Sequence, residues 1–376
     1  MCVVLGACAS SDRRDATTTS TTQNRIPVDS SATTLQQPVR HLSLAFSGDV
    51  LAHTPLVVQA RRNAIANQSV DEYDFTPMFL RVAPLISRAD LAICHLETPI
   101  APSGEALSTY PYFGVPPEIT TAIAKAGFDR CSTASNHSFD RGTDGIDATI
   151  RALELQGVSQ TGMARTPAEI EPHVIVVNDI RITHLSYTFS FNGLSLPLDQ
   201  QWRSALIDSG RILADSTRAR EMGAEVVIVS MHWGNETNQT PTTMQMTIAE
   251  QLTKSGLIDL IVGHHAHVVQ PIVQMNGTWV LFGLGNILSN LPTDERWPAQ
   301  SQDAVIATVE MTISPNGEVT STRPVVYPTW VDKISGWTIR SVLHDLADPS
   351  VPPGTKSDLM NSRSRTAKIL GDFFVM

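Results

Sequence analysis

Ile258-Asp259-Leu260-Ile261-Val262-Gly263-His264-His265-Ala266-His267 sets a short apolar run directly against a glycine and three histidines. An unbroken apolar run of this length is the mark of a strand buried on both faces, and the polar residues after it stand at the end of a sheet. The arrangement recurs upstream. Residues 41–47 run into Gly48-Asp49, 90–94 into His95-Leu96-Glu97, 128–133 into Ser135-Asn136-His137, and 225–230 into His232-Trp233-Gly234.

Between these runs, residues 117–126, 145–156, 204–222 and 244–255 carry helical spacing and stop at Gly127, Gly157, Gly223 and Gly256. A glycine stop leading at once into an apolar strand gives strand–helix alternation. That makes an α/β protein whose polar strand ends gather on one rim. Asn178-Asp179 between 174–177 and 180–187, and Asn276-Gly277 between 271–275 and 278–284, add hairpins, so the sheets are expected to be mixed. Residues 303–313 and 318–327, around Pro315-Asn316-Gly317, read as strands of a second sheet packed on the first. From Trp337 onward no pattern is readable.

The 376 residues are 42% hydrophobic and 17% charged, enough to bury a sizeable core. Lys plus Arg number 27 against 37 Asp plus Glu, a net charge of -10, so no basic field attracts a nucleic-acid backbone. Positive charge for an anionic substrate must come from elsewhere, and bound metal is the natural source. Among the four cysteines there is no C-x-x-C pair. Cys94 and Cys131 lie in strand-like runs and read as small buried hydrophobes rather than a disulfide.

Residues 1–8 read as a truncated signal segment in which Leu5-Gly6-Ala7-Cys8 resembles a bacterial lipobox, with Cys8 as the lipidated residue. Residues 9–40, rich in Ser and Thr at their start, read as a disordered tether. The expectation is an extracytoplasmic protein held to the membrane by a lipid anchor only. No later run reaches 18 apolar residues.

The rim offers Asp49, His95, Glu97, Asn136, His137, His232, Glu236, His264, His265 and His267. Carboxylate, amide oxygen and imidazole together suit divalent zinc, manganese or iron, and the lack of cysteine argues against a structural zinc site. Seven of the eleven histidines, His53 included, fall at or just after strand ends. One alone would be a packing residue, but Gly-His-His-x-His together with Asn-His is difficult to explain by packing. His265 and His267, two residues apart in a turn, can face one centre, and His264 is expected to face elsewhere. Asp140 and Arg141 are read as capping the next helix.

Gly48-Asp49, Leu96-Glu97, Ala134-Ser135-Asn136-His137 with Asp140, His232-Trp233-Gly234-Asn235-Glu236, Gly263-His264-His265-Ala266-His267-Val268 and Gly285-Asn286 together resemble the ordered motifs of the CapA capsule-synthesis family. The resemblance runs from about residue 41 to 330, leaving 331–376 as a C-terminal extension. It implies a calcineurin-like metallophosphatase fold, a four-layer α/β/β/α sandwich with mixed sheets. It also implies one or two divalent ions (Mn, Zn, Fe or Mg) and a role in making or exporting poly-γ-glutamate or a related surface polymer. Implied partners are an anionic polymer or a phosphate-containing envelope substrate, with membrane polymer-synthetase subunits. On the matching positions Asp49, Glu97, Asn136, His232, His265 and His267 become metal ligands and His137 the catalytic histidine. Glu236 is expected to orient substrate or an imidazole. Where metallophosphatases carry Asp-x-His, this chain has Leu51 two residues after Asp49, which leaves one ligand missing and makes His53 or His95 the substitutes. A plain secreted metallophosphoesterase and a non-catalytic binding module on the same scaffold are the rival readings.

Overall fold

The computed structural model describes residues 38–373. The Cys8 lipidation site and nearly all of the tether lie outside the described residues. The strands are β1 (Arg40–Val50), β2 (Leu91–Leu96), β3 (Arg130–Ser132), β4 (Ser159–Thr161), β5 (Val174–Val177), β6 (Ile180–Thr188), β7 (Val226–His232), β8 (Leu260–His264), β9 (Ile272–Met275), β10 (Thr278–Leu281), β11 (Asp303–Ile313), β12 (Val319–Ser321), β13 (Val325–Asp332) and β14 (Thr338–Ser341). They form two sheets, ordered β14-β13-β11-β1-β2-β3-β4, with β12 on β11, and β5-β6-β7-β8-β10-β9. Strands β1 to β4 run parallel in the first sheet, as do β6, β7, β8 and β10 in the second, while β11 and the edge strands β5 and β9 are antiparallel to their neighbours.

The apolar runs explain the layering. On β7 and β8, Val226, Ile228, Leu260 and Val262 point between the sheets, where they meet Leu44, Phe46 and Ile93 of the first. Their neighbours Val227, Val229 and Ile261 point outward and pack against Ile212 and Ala219 of helix Ser209–Glu221 and Leu252 of helix Thr243–Lys254. On the far side, Ala92, Cys94 and Leu96 of β2 face Ile119 and Ile123 of helix Glu118–Ala126. Helix, sheet, sheet, helix is therefore the order of layers, and a strand between two apolar neighbours needs side chains buried on both faces.

Three expectations change. Residues 303–327 do not build the second sheet; β11 pairs with β1 from Arg40↔Ile313 to Ser47↔Ile306 and so widens the first. Alternation identifies a half-buried strand but carries no information about its neighbour. Residues 331–373 do not extend from the domain but pack into it, with the end of β13 and all of β14 continuing the first sheet. Arg365, on helix Pro353–Leu370, grips Asp303 of β11 through two bonds of 2.6 and 2.7 Å. Cys94 and Cys131 are joined as a disulfide, being paired residues on the adjacent strands β2 and β3. Their separation of 37 residues in sequence hides that proximity.

Gly48 shows how tightly the rim is built. A Cβ there would sit 2.1 Å from the Gly285 carbonyl oxygen, and Asp49 N donates to that same oxygen at 2.8 Å. Gly48→Ala should therefore cost about 3 kcal/mol, because backbone rather than a flexible side chain has to give way. A thermal midpoint unchanged from wild type would refute this close contact.

Candidate metal centre

Strand register assembles the centre. In the first sheet Asp49 on β1 pairs with His95 on β2, with Glu97 just beyond. In the second, His232 on β7 pairs with His264 on β8. The two sheets face each other, so these four strand ends meet. After β8 the chain turns sharply, with His265 at φ 84° and His267 at φ 56°. Non-glycine residues in this region cost about 1–2 kcal/mol each, so the turn holds stored strain at the site.

Asp49, Glu97, His95, His232, His264, His265 and His267 are all buried. Their ligand atoms fall into three groups in which every atom lies within 4.8 Å of the others: Asp49 with His95 and His264, Glu97 with His232 and His265, and Asp49 with Glu97 and His267. Asp49 and Glu97 thus join the groups to one another. Glu97 Oε1 is 3.7 Å from His267 Nε2 and 3.9 Å from His232 Nε2. Asn136 Oδ1 is 2.8 Å from His232 Nε2, and its amide donates to Asn192 Oδ1 at 3.1 Å.

The donor chemistry fits a divalent cation. Both Glu97 oxygens are buried without a hydrogen-bond partner, as is His265 Nδ1. A buried carboxylate with neither oxygen satisfied is costly, and a cation shared with neighbouring imidazoles removes that cost. The ion would be held by Asp49, Glu97, His232, His265 and His267, with Asn136 adding an amide oxygen. His267 is prepared for this: its Nδ1 lies 2.8 Å from Asn286 Oδ1, which fixes the ring and leaves Nε2 facing Glu97.

Burial pushes the Glu97 carboxyl well above the usual range. Burial alone would lower His267, but Glu97 and Asp49 overcome it and raise the imidazole to about 10. Asp49, which burial would raise, is held well below its ordinary value by hydrogen bonds from His264 and His267. Burial lowers His265 to about 3, and also lowers His232 and His95. Neutral imidazoles are the form that binds metal.

The structure distributes the remaining candidates. His264 does not face elsewhere: its Nδ1 lies 2.9 Å from Asp49 Oδ1 and its ring stacks on His95 at 4.0 Å. The strand pairing of His232 with His264 puts both into the same layer. His95 joins the Asp49 group, although its two nitrogens also lie 2.8 Å from Ser132 Oγ and 2.9 Å from His232 Nδ1. His53 joins none of the three groups; its Nδ1 is 3.0 Å from Leu51 O, and burial lowers it to about 4. Glu236 stands at the rim with its side chain 39% exposed, 3.9 Å from Arg296.

Asp140 is no helix cap. Its Oδ2 lies 2.6 Å from His137 Nδ1 and also accepts from Phe113 N at 2.7 Å. The helix Gly142–Leu155 begins after Arg141 without a side-chain cap, and Arg141 instead reaches Glu105, Ala106 O and Ser108. The spacing of three between His137 and Asp140, across one tight turn, is the sequence signal for this pair. Asn192, Asn286 and Phe189 carry no comparable mark. Phe189 packs on His265 at 4.4 Å, Trp297 meets His267 edge-on at 5.7 Å, and Phe113 meets His137 at 4.7 Å. Three aromatic rings therefore cover the outer sides of the histidines.

Fold and site together define a two-sheet α/β protein with a buried carboxylate–imidazole centre of metal-binding type and a hydrogen-bonded His137–Asp140 pair at its edge. The chain matches the family model described as bacterial capsule synthesis protein PGA_cap over residues 43–291, and it belongs to that family. It is 23% identical to the capsule biosynthesis protein CapA of Bacillus anthracis, the match covering 72% of this chain and 65% of that protein. With the PGA biosynthesis protein CapA of Bacillus subtilis the identity is 22%, over 70% of this chain and 67% of the relative. The match thus spans about two thirds of the length of these relatives. Among solved structures, a calcineurin-like phosphoesterase of Bacillus subtilis aligns with TM-score 0.45 at 12% identity, covering 88% of this chain and 99% of the other. A 5'-nucleotidase of Staphylococcus aureus, described as putative, aligns with TM-score 0.46 at 14% identity, covering 86% and 58%.

Proposed function

We propose that this chain is a divalent-metal-dependent hydrolase of the cell envelope, acting in the biosynthesis or export of a polyglutamate-type capsule polymer. The observation that carries the hydrolase reading is Glu97, buried with both oxygens unpartnered between the imidazoles of His232 and His267. The polymer comes from the family and from relatives named for capsule and PGA biosynthesis. The Cys94–Cys131 disulfide supports an oxidising, extracytoplasmic setting. Attachment through a lipid on Cys8 belongs to the same proposal. Among the described residues no helix is long and apolar enough to cross a membrane.

A divalent ion bound here supplies Lewis-acid polarisation of a phosphoryl or carbonyl oxygen. The chain does the rest. Asp49 and Glu97 provide the negative charge that retains the ion, and Asn286 keeps the His267 ring turned toward Glu97. Asp140 holds His137 Nδ1, so Nε2 is the atom that gives or takes a proton at the substrate. Phe189 and Trp297 keep water from the outer faces of His265 and His267.

The test is metal content by mass spectrometry on protein purified without a histidine tag, comparing wild type with Asp49→Ala and His265→Ala. The expected result is near-stoichiometric manganese, zinc or iron in wild type and loss in both variants. Wild type that takes up no divalent ion even when supplied with manganese or zinc would leave the hydrolase reading without its centre.

A further inference from the structure

We infer that the chain carries a second, non-metal binding site, at Arg130, for a small oxyanion of carboxylate or phosphate type. This inference stands apart from the proposed function. Arg130 opens β3, whereas the metal centre lies beyond the other end of the same strand. Its side chain points between the sheets and is only 5% exposed. Nε donates to His184 Nδ1 at 3.2 Å and Nη1 to Ser159 Oγ at 3.0 Å. His184 is fixed in turn by Ser230 Oγ, 2.8 Å from its Nε2. Nη2 has no protein partner among the described residues, and the guanidinium has no carboxylate beside it.

A buried guanidinium without a counter-charge is unfavourable, and native proteins compensate such groups by pairing or by a bound ligand. Here the compensation has a place to sit. Arg130 lines a cavity of about 290 Å³ at the open edge between β4 and β5, together with Ser159, Thr161 and His173. Glu154, Glu169, Glu171 and Arg165 line the same cavity, and its acids are already engaged: Glu154 and Glu169 are both bound by Arg165, and Glu171 by Arg218 at 2.6 Å. Arg130 is thus the charge left without a partner, and its flat, forked donor set suits the paired oxygens of a carboxylate or phosphate. The volume fits an inorganic anion or a small organic acid.

Titration calorimetry with inorganic phosphate, and separately with acetate, on chelator-treated protein removes the metal centre as a competing anion site. Wild type is expected to bind one equivalent of at least one of the two. Preference for phosphate identifies a phosphate-bearing ligand, and preference for acetate a carboxylate. Arg130→Gln should weaken binding about tenfold or more. Should that variant fail to fold, Ser159→Glu decides: a carboxylate built beside Arg130 should abolish binding of the added anion and raise the thermal midpoint. Wild type that binds neither anion, or Ser159→Glu that binds as wild type does, overturns the inference.

Discussion

Replacing Glu97 by glutamine should empty the metal centre and lower turnover of a generic phosphodiester, such as bis(p-nitrophenyl) phosphate, by about 10³-fold or more. The size comes from position. Glu97 belongs to two of the three ligand groups, and no other carboxylate stands within reach of both His232 and His267 among the described residues. An amide of the same shape keeps the packing but removes the charge that offsets a doubly positive ion in a dry site. Saturating metal should stabilise wild type by about 4 kcal/mol at a thousand times its dissociation constant, and should leave Glu97→Gln almost unmoved. The pH dependence has a definite sign. Without an ion, the charges of Glu97 and Asp49 keep the proton on His267 up to about 10. Binding must expel that proton, so apparent metal affinity rises with pH, about tenfold per unit below that value. A Glu97→Gln protein that retains full metal content and turnover would show that the centre lies elsewhere.

The layers and most of the residues that meet at the centre are legible in the sequence because one physical signal, an apolar run ended by polar residues, serves both. A strand buried on both faces needs the run, and a parallel sheet places its ends on one rim. Asp49, Glu97, His232 and His265 can be read together for that reason. His264 escapes such a reading because its direction depends on pairing with His232 across β7 and β8, a relation between distant segments. The disulfide and the place of β11 are hidden in the same way, since alternation fixes a residue's face but not the strand beside it. The C-terminal helix is unreadable because its buried face, Leu359, Ser362, Thr366 and Leu370, is polar in the middle and so shows no continuous apolar stripe. Phe189 and Asn192 sit in an irregular loop, where neither period nor motif announces which side chains turn toward the centre.

His137→Ala should leave metal content unchanged while lowering kcat by about 10² to 10⁴. The two readouts separate because His137 is in none of the three ligand groups, and its Nδ1 is committed to Asp140 at 2.6 Å. Asp140→Asn should change activity in the same direction. The carboxylate selects the tautomer with the proton on Nδ1, and an amide can offer that nitrogen a donor instead, turning the acid–base atom the wrong way. Its loss should therefore appear chiefly in kcat and in the shape of the pH–rate profile, with little change in KM. A binding module on this scaffold would behave differently. It would need Asp49 and Glu97 to hold its ion and would be indifferent to His137. The experiment is thus to restore polymer formation in cells lacking the chain's gene with His137→Ala and, separately, with Asp49→Ala. Rescue by the first but not the second would assign the centre to holding a ligand. Failure of both, with metal still present in His137→Ala, makes proton transfer at His137 Nε2 part of what the protein does.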